Sequence, residues 1–437
     1  MSPHTQRRLL AAAAAAGGAA LVLTGCSGGA SDDGSEISIL IDNAETSVTT
    51  MEALVEAFEA EHPDIQVEIE TRPQGTEGDN VVKTRLSTGE MTDLFAYNTG
   101  SLLQALNPDQ QLVDLGDEPW VSKLQDSFVP VVSTEEGFYG APLGQTSSGA
   151  IMYNKRVYEE LGLEIPQTWD EFVANAEKVK AEAPDIAPII QSYGETWTSQ
   201  LFVLGDFANV MKADPEWAEK YTANEAKYVD EPAFTGFRHL QELNEAGLFN
   251  EDYASATYDE AVGMLANGEG AHYPILSWAI QNLAANYPDA VDDIGLFAIP
   301  GESAEDNTLT VWQPGAVYVP SSTEGARLES AKVFLEWLTT PESCDVQVEA
   351  TGVPYGPFVV EGCELGDDVP PIVTDEIAYF DEGRVQNALE FLSPIKGPSL
   401  EQITVAVGSG ITSAEEGAQQ YDDDVRKQAQ QLGLEGW

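Results

Sequence analysis

Hydrophobic and polar positions change their period in a regular order from residue 36 onward. Ile37, Ile39 and Ile41 alternate with polar neighbours, which predicts a strand with one buried face. The next apolar residues recur at helical spacing: Met51, Leu54, Val55 and Phe58. Alternation returns over residues 65–69, after the helix-breaking sequence HPD. This order of strand, helix and strand predicts a parallel sheet flanked by helices.

The same two periods organise the rest of the chain. Further helices are predicted around residues 79–87, 168–179, 197–209, 234–246, 258–267, 331–338 and 413–432. Extended segments are predicted at DLFAY (93–97), GFYGAPLGQ (137–145), SSGAIMYNK (147–155), IGLFAIP (294–300) and VWQPGAVYVP (311–320). Capping boxes are predicted from Thr168 to Glu171 and from Ser413 to Glu416. We find no solenoid-type repeat, and the mixture of elements predicts two α/β lobes.

The N-terminal segment has a different pattern. An apolar run from Leu9 to Leu23 follows two arginines and ends at Thr24-Gly25-Cys26, which is the layout of a secretory signal peptide. The sequence LTGC also resembles the lipobox of bacterial lipoproteins, in which the cysteine is acylated and the chain is cut before it. We therefore expect residues 1–25 to be a signal peptide, Cys26 to carry the lipid, and residues 26–35 to form a flexible tether.

Charge excludes several partners. The chain has 74 acidic and 20 basic residues, a formal net charge of −54, which opposes binding to nucleic acid and anionic membranes. The acids are spread along the chain, which favours a solvated surface over a dedicated cation-binding face. No other stretch approaches the apolar length of a membrane span, so we expect membrane association through the lipid anchor only.

Three cysteines are present. If Cys26 is lipidated, Cys344 and Cys363 remain, either as a disulfide in an oxidising compartment or as two buried thiols. Histidines are few in the mature chain and far apart in sequence: His62, His239 and His272. We therefore predict no metal site, no cofactor and no histidine-based catalytic site.

Five segments carry a family resemblance. They are MEALVEAFEAEHPDIQVEIE, STGEMTDLFAYNTG, GFYGAPLGQTSSGAIMYNKRVYEELGLEIPQTWDEF, ESAKVFLEWLTTPES and TGVPYG. In this order they resemble the extracellular solute-binding proteins of ABC importers, in the carbohydrate-binding family related to maltose-binding protein. The resemblance implies a two-lobed periplasmic-binding-protein-like α/β fold of type II, with a ligand cleft that closes by hinge motion. It places lobe one at 36–143 plus 318–351, and lobe two at 144–317 plus 352–437.

Sugars present flat C–H faces and hydroxyl edges, so a sugar site needs aromatic platforms together with fixed polar groups. The candidate platforms are Trp197, Trp278, Trp312 and Tyr355. The resemblance supports three of these as sugar-stacking positions: Trp197, Trp278 and Tyr355. The other tryptophans occur in predicted surface loops or at helix starts and are assigned structural roles: Trp120, Trp169, Trp217 and Trp337.

The candidate polar partners are Asn43, Glu45, Asn98, Gln145, Glu195 and Arg384. Asn43, Glu45 and Asn98 follow predicted parallel strands, whose carboxyl ends face the cleft in open α/β sheets. A carboxylate can accept hydrogen bonds from two neighbouring hydroxyls, and this is the role predicted for Glu45 and Glu195. The alternative for each acid is an ordinary solvated surface position.

Three other functions compete with sugar capture. A glycoside hydrolase needs two carboxylates flanking the bond, and no pair stands out among so many acids. A polyamine or another cation would suit aromatic boxes and an acidic chain; several carboxylates converging in the cleft would favour it. An adhesive protein would not need the hinge-crossing segments. We predict a monomeric, non-enzymatic, lipid-anchored receptor at the outer face of the cell membrane, which passes a mono- or oligosaccharide to an ABC permease.

Overall fold

The computed structural model describes residues 34–304, 307–366, 369–434 and 436–437. The predicted signal peptide, Cys26 and most of the tether lie outside the described residues. None of the helices in the described part of the chain combines the length and the hydropathy needed to cross a bilayer.

Most strands fall close to the predicted extended segments, but the strands at residues 187–189, 270–276 and 385–387 were not predicted. In chain order they are β1 (Glu36–Asp42), β2 (Gln66–Arg72), β3 (Leu94–Tyr97), β4 (Gly140–Leu143), β5 (Ser147–Asn154), β6 (Ala187–Ile189), β7 (Gly270–Leu276), β8 (Ile294–Ala298), β9 (Leu309–Trp312), β10 (Gly315–Tyr318) and β11 (Val385–Asn387). They form two mixed sheets, called here sheet one and sheet two.

Sheet one has the strand order β2-β1-β3-β10-β4. β1 runs parallel to β2 and β3, and Ile39 lies opposite both Ile69 and Leu94. The predicted parallel pairing is therefore present, but β10 returns antiparallel to β3 and β4. As a result β1, β2, β3 and β4 all end at one edge of the sheet. At this edge the chain leaves β4 for sheet two through residues 144–146, and it comes back between β9 and β10.

Sheet two has the order β11-β9-β5-β7-β6, and β8 also pairs with β5. β5 is its central strand and runs antiparallel to β7, β8 and β9. All of its residues are buried, because helices cover the sheet on both faces. β5 begins at Ser147, directly after the crossing segment 144–146, so its first residues lie at the junction of the two sheets.

The helices, in chain order, are α1 (Glu45–Glu61), α2 (Gly75–Thr88), α3 (Ser101–Gln104), α4 (Pro108–Gln111), α5 (Lys155–Leu161), α6 (Trp169–Glu182), α7 (Leu201–Leu204), α8 (Phe207–Ala213), α9 (Trp217–Thr222), α10 (Phe234–Glu245), α11 (Tyr258–Asn267), α12 (Ala279–Asn286), α13 (Gly325–Leu338), α14 (Pro341–Thr351), α15 (Pro371–Asp381), α16 (Leu400–Gly408) and α17 (Ala414–Leu432). Short 3-10 helices occupy Pro119–Lys123, Val129–Val132, Thr196–Gln200, Pro288–Asp293 and Leu389–Phe391.

Side chains start several of these helices. Thr168 Oγ1 accepts the Glu171 N–H at the start of α6, as predicted. Glu171, however, accepts the backbone N–H of Gln167 and not that of Thr168, so the reciprocal bond is displaced by one residue. A complete capping box instead starts α11, where Thr257 and Glu260 exchange both hydrogen bonds. That pair was not predicted.

The hydrophobic cores divide along the two sheets. One core packs β1, α1, β3, β10 and α13, and it contains the four apolar residues predicted for the first helix. Two further cores cover the faces of sheet two. The four tryptophans assigned structural roles are deeply buried in these cores, and none lies on the surface: Trp120, Trp169, Trp217 and Trp337.

A disulfide joins Cys344 on α14 to Cys363, with the two Cα atoms 5.9 Å apart. Between these cysteines runs the segment 352–357, called here the cleft loop. After it, Val359 and Val360 pack into the core of sheet one, and the Gln125 N–H donates to the carbonyl of Val359. The disulfide therefore closes a chain segment that passes between the sheets.

Candidate ligand-binding cleft

A cavity of about 250 Å³ lies where the parallel strands of sheet one end and the chain crosses to sheet two. The polar residues and aromatic rings that line it include Asp42, Arg72, Tyr97, Asn98, Gln145 and Tyr355. Helices add two amides, Gln281 from α12 and Gln347 from α14. The cavity therefore receives residues from strands, helices, the crossing segment 144–146 and the cleft loop.

Arg72, the last residue of β2, forms one wall. Its guanidinium donates to the carbonyls of Pro73 at 3.1 Å and Ala96 at 3.4 Å, and it lies 5.5 Å from the centre of the Tyr97 ring. Among the described residues no carboxylate forms an ion pair with it, and its Nε atom is buried without a partner. A buried, unpaired cation is costly, so a ligand that offers oxygen acceptors is stabilised here.

Tyr97 supports the arginine and stays neutral. Burial, followed by the nearby carboxylate of Asp79, raises the pKa of Tyr97 well above its ordinary value. The phenol therefore keeps its proton at every physiological pH and presents a polar but uncharged group. Asn98 follows directly and also lines the cavity, as the strand-end argument predicted.

Asp42 ends β1 and organises the start of α1. Its two carboxylate oxygens accept from the Ala44 N–H at 2.9 Å and from Ser47 Oγ at 3.1 Å. Asp42 and Ser47 line the cavity, whereas the predicted residues Asn43 and Glu45 are exposed and lie outside its lining. The carboxylate that lines the cavity is therefore one residue before the predicted Asn43.

Gln145 and Tyr355 hold each other across the crossing. The Gln145 N–H donates to Tyr355 Oη, and the Tyr355 N–H donates to Gln145 Oε1, both at 2.8 Å. Gln145 Nε2 is buried and has no partner among the described residues, so this cavity-lining residue holds an unsatisfied donor. Burial raises the pKa of Tyr355 to about 12, against the opposing effect of the Gln145 N–H bond. Both predicted residues are thus fixed side by side.

Gly144 permits this approach. Its φ of 98° lies in the region that favours glycine, and a Cβ atom there would come within 2.5 Å of Tyr355 Oη. Its N–H donates to Gln347 Oε1 at 2.8 Å, which ties the crossing to α14.

An aromatic cluster of Trp197, Tyr258 and Trp278 lies on the sheet-two side. The three ring centres are 5.5–5.6 Å apart in every pair. All three residues are partly exposed. Trp278 directly precedes α12, which carries Gln281 to the cavity one turn later. None of the three rings lines the cavity, so the cluster is a separate apolar platform whose link to the cavity is α12. Tyr258 is a member that sequence reasoning missed.

Glu195 supports this cluster. Its Oε2 atom accepts the backbone N–H of Tyr258 at 2.6 Å, at the first residue of α11. The carboxylate is exposed, and it lies outside the cavity lining. Its observed contact orients the start of α11 and the ring next to it.

Two predicted residues lie elsewhere. Arg384 donates to Glu382 Oε2 at 2.6 Å and to the carbonyl of Asn307 at 2.8 Å, and its guanidinium covers the Tyr379 ring at 4.1 Å. Trp312, on β9, packs its ring against Gly149 on the neighbouring strand β5. Neither residue lines the cavity.

Some of the missed residues could have been found. Asp42, Arg72 and Tyr97 are the last residues of β1, β2 and β3, so the strand-end argument applied to them as well as to Asn98. Gln281 and Gln347 lie on helices far from these strands in sequence, and no local pattern marked them. Within the described residues, no group of three or more histidine, cysteine or acidic side chains is arranged to hold a metal ion.

Two α/β sheets joined by crossing segments, with a polar cavity and an aromatic platform at the junction, define a two-lobed ligand-binding protein. The family model for bacterial extracellular solute-binding proteins matches residues 43–343. This match covers more than half of the chain, so the chain belongs to that family. Its members are solute-binding receptors of ABC transporters, and the chain is therefore a receptor and not an enzyme.

Curated relatives are similar over most of the chain. The multiple sugar-binding protein of Streptococcus mutans is 26% identical over 338 residues, which cover 76% of this chain and 77% of that protein. The melibiose/raffinose/stachyose-binding protein of Bacillus subtilis is 23% identical over 317 residues, 70% of each chain.

Solved structures show the same fold. A chitin oligosaccharide binding protein matches with a TM-score of 0.79 at 20% identity, covering 91% of this chain and 100% of that one. A raffinose complex of the binding protein RafE matches with a TM-score of 0.73 at 22% identity, covering 91% and 99%. The predicted type II periplasmic-binding-protein fold is confirmed.

Proposed function

We propose that this receptor captures a mono- or oligosaccharide in the cavity and presents it to an ABC permease. The observation that carries the proposal is the pairing of a polar cavity with an aromatic platform at its edge. The named ligands of the two curated relatives, which are sugars, agree with this chemistry.

The two parts of the cleft suit two parts of a sugar. Hydroxyl groups can donate to the Asp42 carboxylate and to the Asn98 side-chain oxygen, and they can accept from the free Gln145 Nε2. The flat C–H face of a pyranose can stack on Trp197 or Trp278, which remain partly exposed. Because the platform lies beside the cavity, an oligosaccharide can engage both parts at once.

The charge pattern favours a neutral sugar over a polyamine. A cation site needs several carboxylates converging between aromatic rings. The cavity lining instead has one carboxylate, Asp42, together with the amides of Gln145, Gln281 and Gln347 and the buried cation of Arg72. An approaching polyamine would meet that cation, so its binding is disfavoured.

We also propose, from the sequence, that residues 1–25 are removed and that Cys26 carries a lipid. The tether at 26–35 would hold a monomeric receptor at the outer face of the membrane. The predicted lobes, 36–143 plus 318–351 and 144–317 plus 352–437, would close around the sugar. Because β10 begins at Gly315, and Val359 and Val360 pack into the core of sheet one, lobe one would also include these residues. The ligand can stabilise the closed form only by as much as it prefers that form over the open one. Cys26→Ser tests the anchor: the variant should leave the membrane fraction, and its retention there would contradict lipidation.

A thermal-shift screen of the chain from Ser27 onward tests the sugar assignment. The panel contains raffinose, stachyose, maltose and chitobiose, with spermidine and a tripeptide as the other solute classes. We expect at least one sugar to raise Tm and spermidine to leave it unchanged at matched ionic strength. A shift with spermidine alone would contradict the proposal.

A further inference from the structure

A fully buried carboxyl group lies directly behind the cleft. Glu376, on α15, has no solvent-exposed surface. Its Oε1 atom accepts from Ser148 Oγ at 2.5 Å, and its Oε2 atom is buried with no partner in the described part of the chain. The residues around α15 at this point are the apolar core of sheet two. An ionised carboxylate with one unsolvated oxygen is very costly in such surroundings.

Hydrogen bonds connect this carboxyl group to the ligand-facing residues. Ser148 is also a donor through its backbone N–H, which binds Ser277 Oγ at 2.9 Å. Ser277 Oγ donates to the carbonyl of Tyr355 at 3.2 Å. Tyr355 in turn exchanges two hydrogen bonds with Gln145. Three separate chain segments, at residues 145–148, 277 and 355, therefore meet between Glu376 and the cavity.

The cleft loop packs tightly at this point. A Cβ atom on Gly356 would lie 1.9 Å from the carbonyl oxygen of Thr146 and 3.4 Å from Glu376 Oε1. The Thr146 N–H also donates to the carbonyl of Pro357 at 2.8 Å. The cleft loop is therefore part of the wall that keeps the fully buried carboxyl group from water.

We propose that Glu376, in its neutral form, is a positioning residue of the cleft: through Ser148 and Ser277 it keeps the cleft loop against the crossing segment, so that Tyr355 and Gln145 face the ligand. This role rests on the proposed function, because the cavity that it shapes is the one assigned to the sugar.

The state of ionisation of Glu376 follows from its surroundings. Burial raises its pKa to about 8, and the contacts of Ser148 and Ser277 offset this only in part. The titratable group that faces it across the cleft loop is Tyr355, which stays neutral because its own pKa is raised to about 12. On the same helix, Asp375 turns to β8, where it accepts the Leu296 N–H at 3.1 Å.

Loop closure is therefore linked to a proton. When the cleft loop opens and water reaches the carboxyl group, its pKa falls toward the ordinary glutamate value of about 4.3. The closed form then holds a proton that the open form releases between that value and about 8. Closure is favoured at low pH and weakens by about tenfold for each pH unit up to about pH 8, where the effect levels off.

Hydrogen exchange of the ligand-free mature chain tests this directly. Amide exchange rates are measured for peptides that cover residues 144–149 and 352–357, from pH 5.5 to 9. The rates are corrected for the intrinsic pH dependence of exchange. We expect wild-type protection to fall by about tenfold for each pH unit up to about pH 8. Glu376→Gln, which mimics the protonated carboxyl at every pH, should lose this pH dependence and should be more protected than the wild type by about tenfold at pH 5.5. Glu376→Ala should lose protection at every pH.

Asp375→Asn is the matched control, because it changes a half-buried carboxyl on the same helix that binds β8 and not the cleft loop. It should leave the exchange of both peptides and their pH dependence as in the wild type. A pH-independent wild type would overturn the proposal. So would a Glu376→Gln variant as unprotected as Glu376→Ala, because the neutral carboxyl would then have no positioning role that an amide can replace.

A second arm uses raffinose as the probe at pH 6. We expect Glu376→Ala to bind at least tenfold more weakly than Glu376→Gln, and equal affinities would overturn the positioning role. If raffinose binds no variant while the exchange profile is as expected, the positioning of the cleft loop is supported and the raffinose assignment fails. The two proposals can therefore fail separately.

Discussion

Removal of the Trp278 ring should weaken sugar binding without unfolding the receptor. The ring contacts Trp197 and Tyr258, with both centre distances at 5.5 Å. Two such aromatic pairs contribute about 1–3 kcal/mol to stability. If one sugar face covers about 60 Å² of the ring, the contact adds about 1.5 kcal/mol at 25 cal/mol per Å². Trp278→Ala should therefore bind about tenfold more weakly.

Isothermal titration calorimetry with the tightest-binding sugar of the panel measures this loss, and thermal unfolding verifies that the variant is folded. Trp312→Phe is the control, because Trp312 is also partly exposed but its ring packs against Gly149 and makes no contact with the aromatic cluster. It should keep the wild-type Kd. Full affinity in Trp278→Ala, or an equal loss in both variants, would refute the role of the platform.

Three further changes test the frame of the cleft and the core. Gly144→Ala should destabilise the chain by about 1–3 kcal/mol in urea unfolding, because φ is 98° there and the added Cβ meets the cleft tyrosine; an unchanged midpoint would contradict this. Cys344→Ser with Cys363→Ser opens a link between residues 19 apart and should cost about 3 kcal/mol under oxidising conditions, but nothing under reduction. Burial lowers the pKa of His272 to about 4. The neutral imidazole therefore contributes fully to the free energy of unfolding above about pH 6.5, and this contribution is lost as the pH falls toward 4. His272→Gln should make the acid-induced decrease in unfolding free energy smaller by up to about 3 kcal/mol.

The secondary structure was predictable where a single period governs several residues. Ile37, Ile39 and Ile41 alternate because one face of β1 is buried, and α1 buries the four apolar residues that were predicted to face the core. Parallel pairing of β1 with β2 followed from the helix between them. The antiparallel return of β10 did not, because its partners β3 and β4 are set by contacts more than 170 residues away in the chain.

Cavity-lining residues were predictable where local geometry determines a side chain's direction, or where the crossing segment and the family resemblance pointed to them, as for Gln145 and Tyr355. Asn98 lies at the end of a parallel strand and does line the cavity. Asn43 lies one residue too far along, since Asp42 already turns the chain into α1. The position of Arg384 outside the cavity could not be predicted from the sequence around it. Its partners are a nearby glutamate, an aromatic ring and a backbone carbonyl, which only tertiary packing brings together.

The buried glutamate could not have been singled out from sequence. Glu376 is one of 74 acidic residues, and only its burial beside Ser148 and the cleft loop distinguishes it. Its neighbour Asp375 has the same chemistry but binds a different strand. Burial and partner geometry, which belong to the tertiary structure, separate these two residues.

A crystal structure of the receptor with its tightest-binding sugar tests the central claim most directly. We predict a sugar ring stacked on Trp197 or Trp278, with hydroxyl oxygens within hydrogen-bond distance of Asp42, Asn98 or Gln145. A sugar bound elsewhere, with this cavity filled only by water, would contradict it.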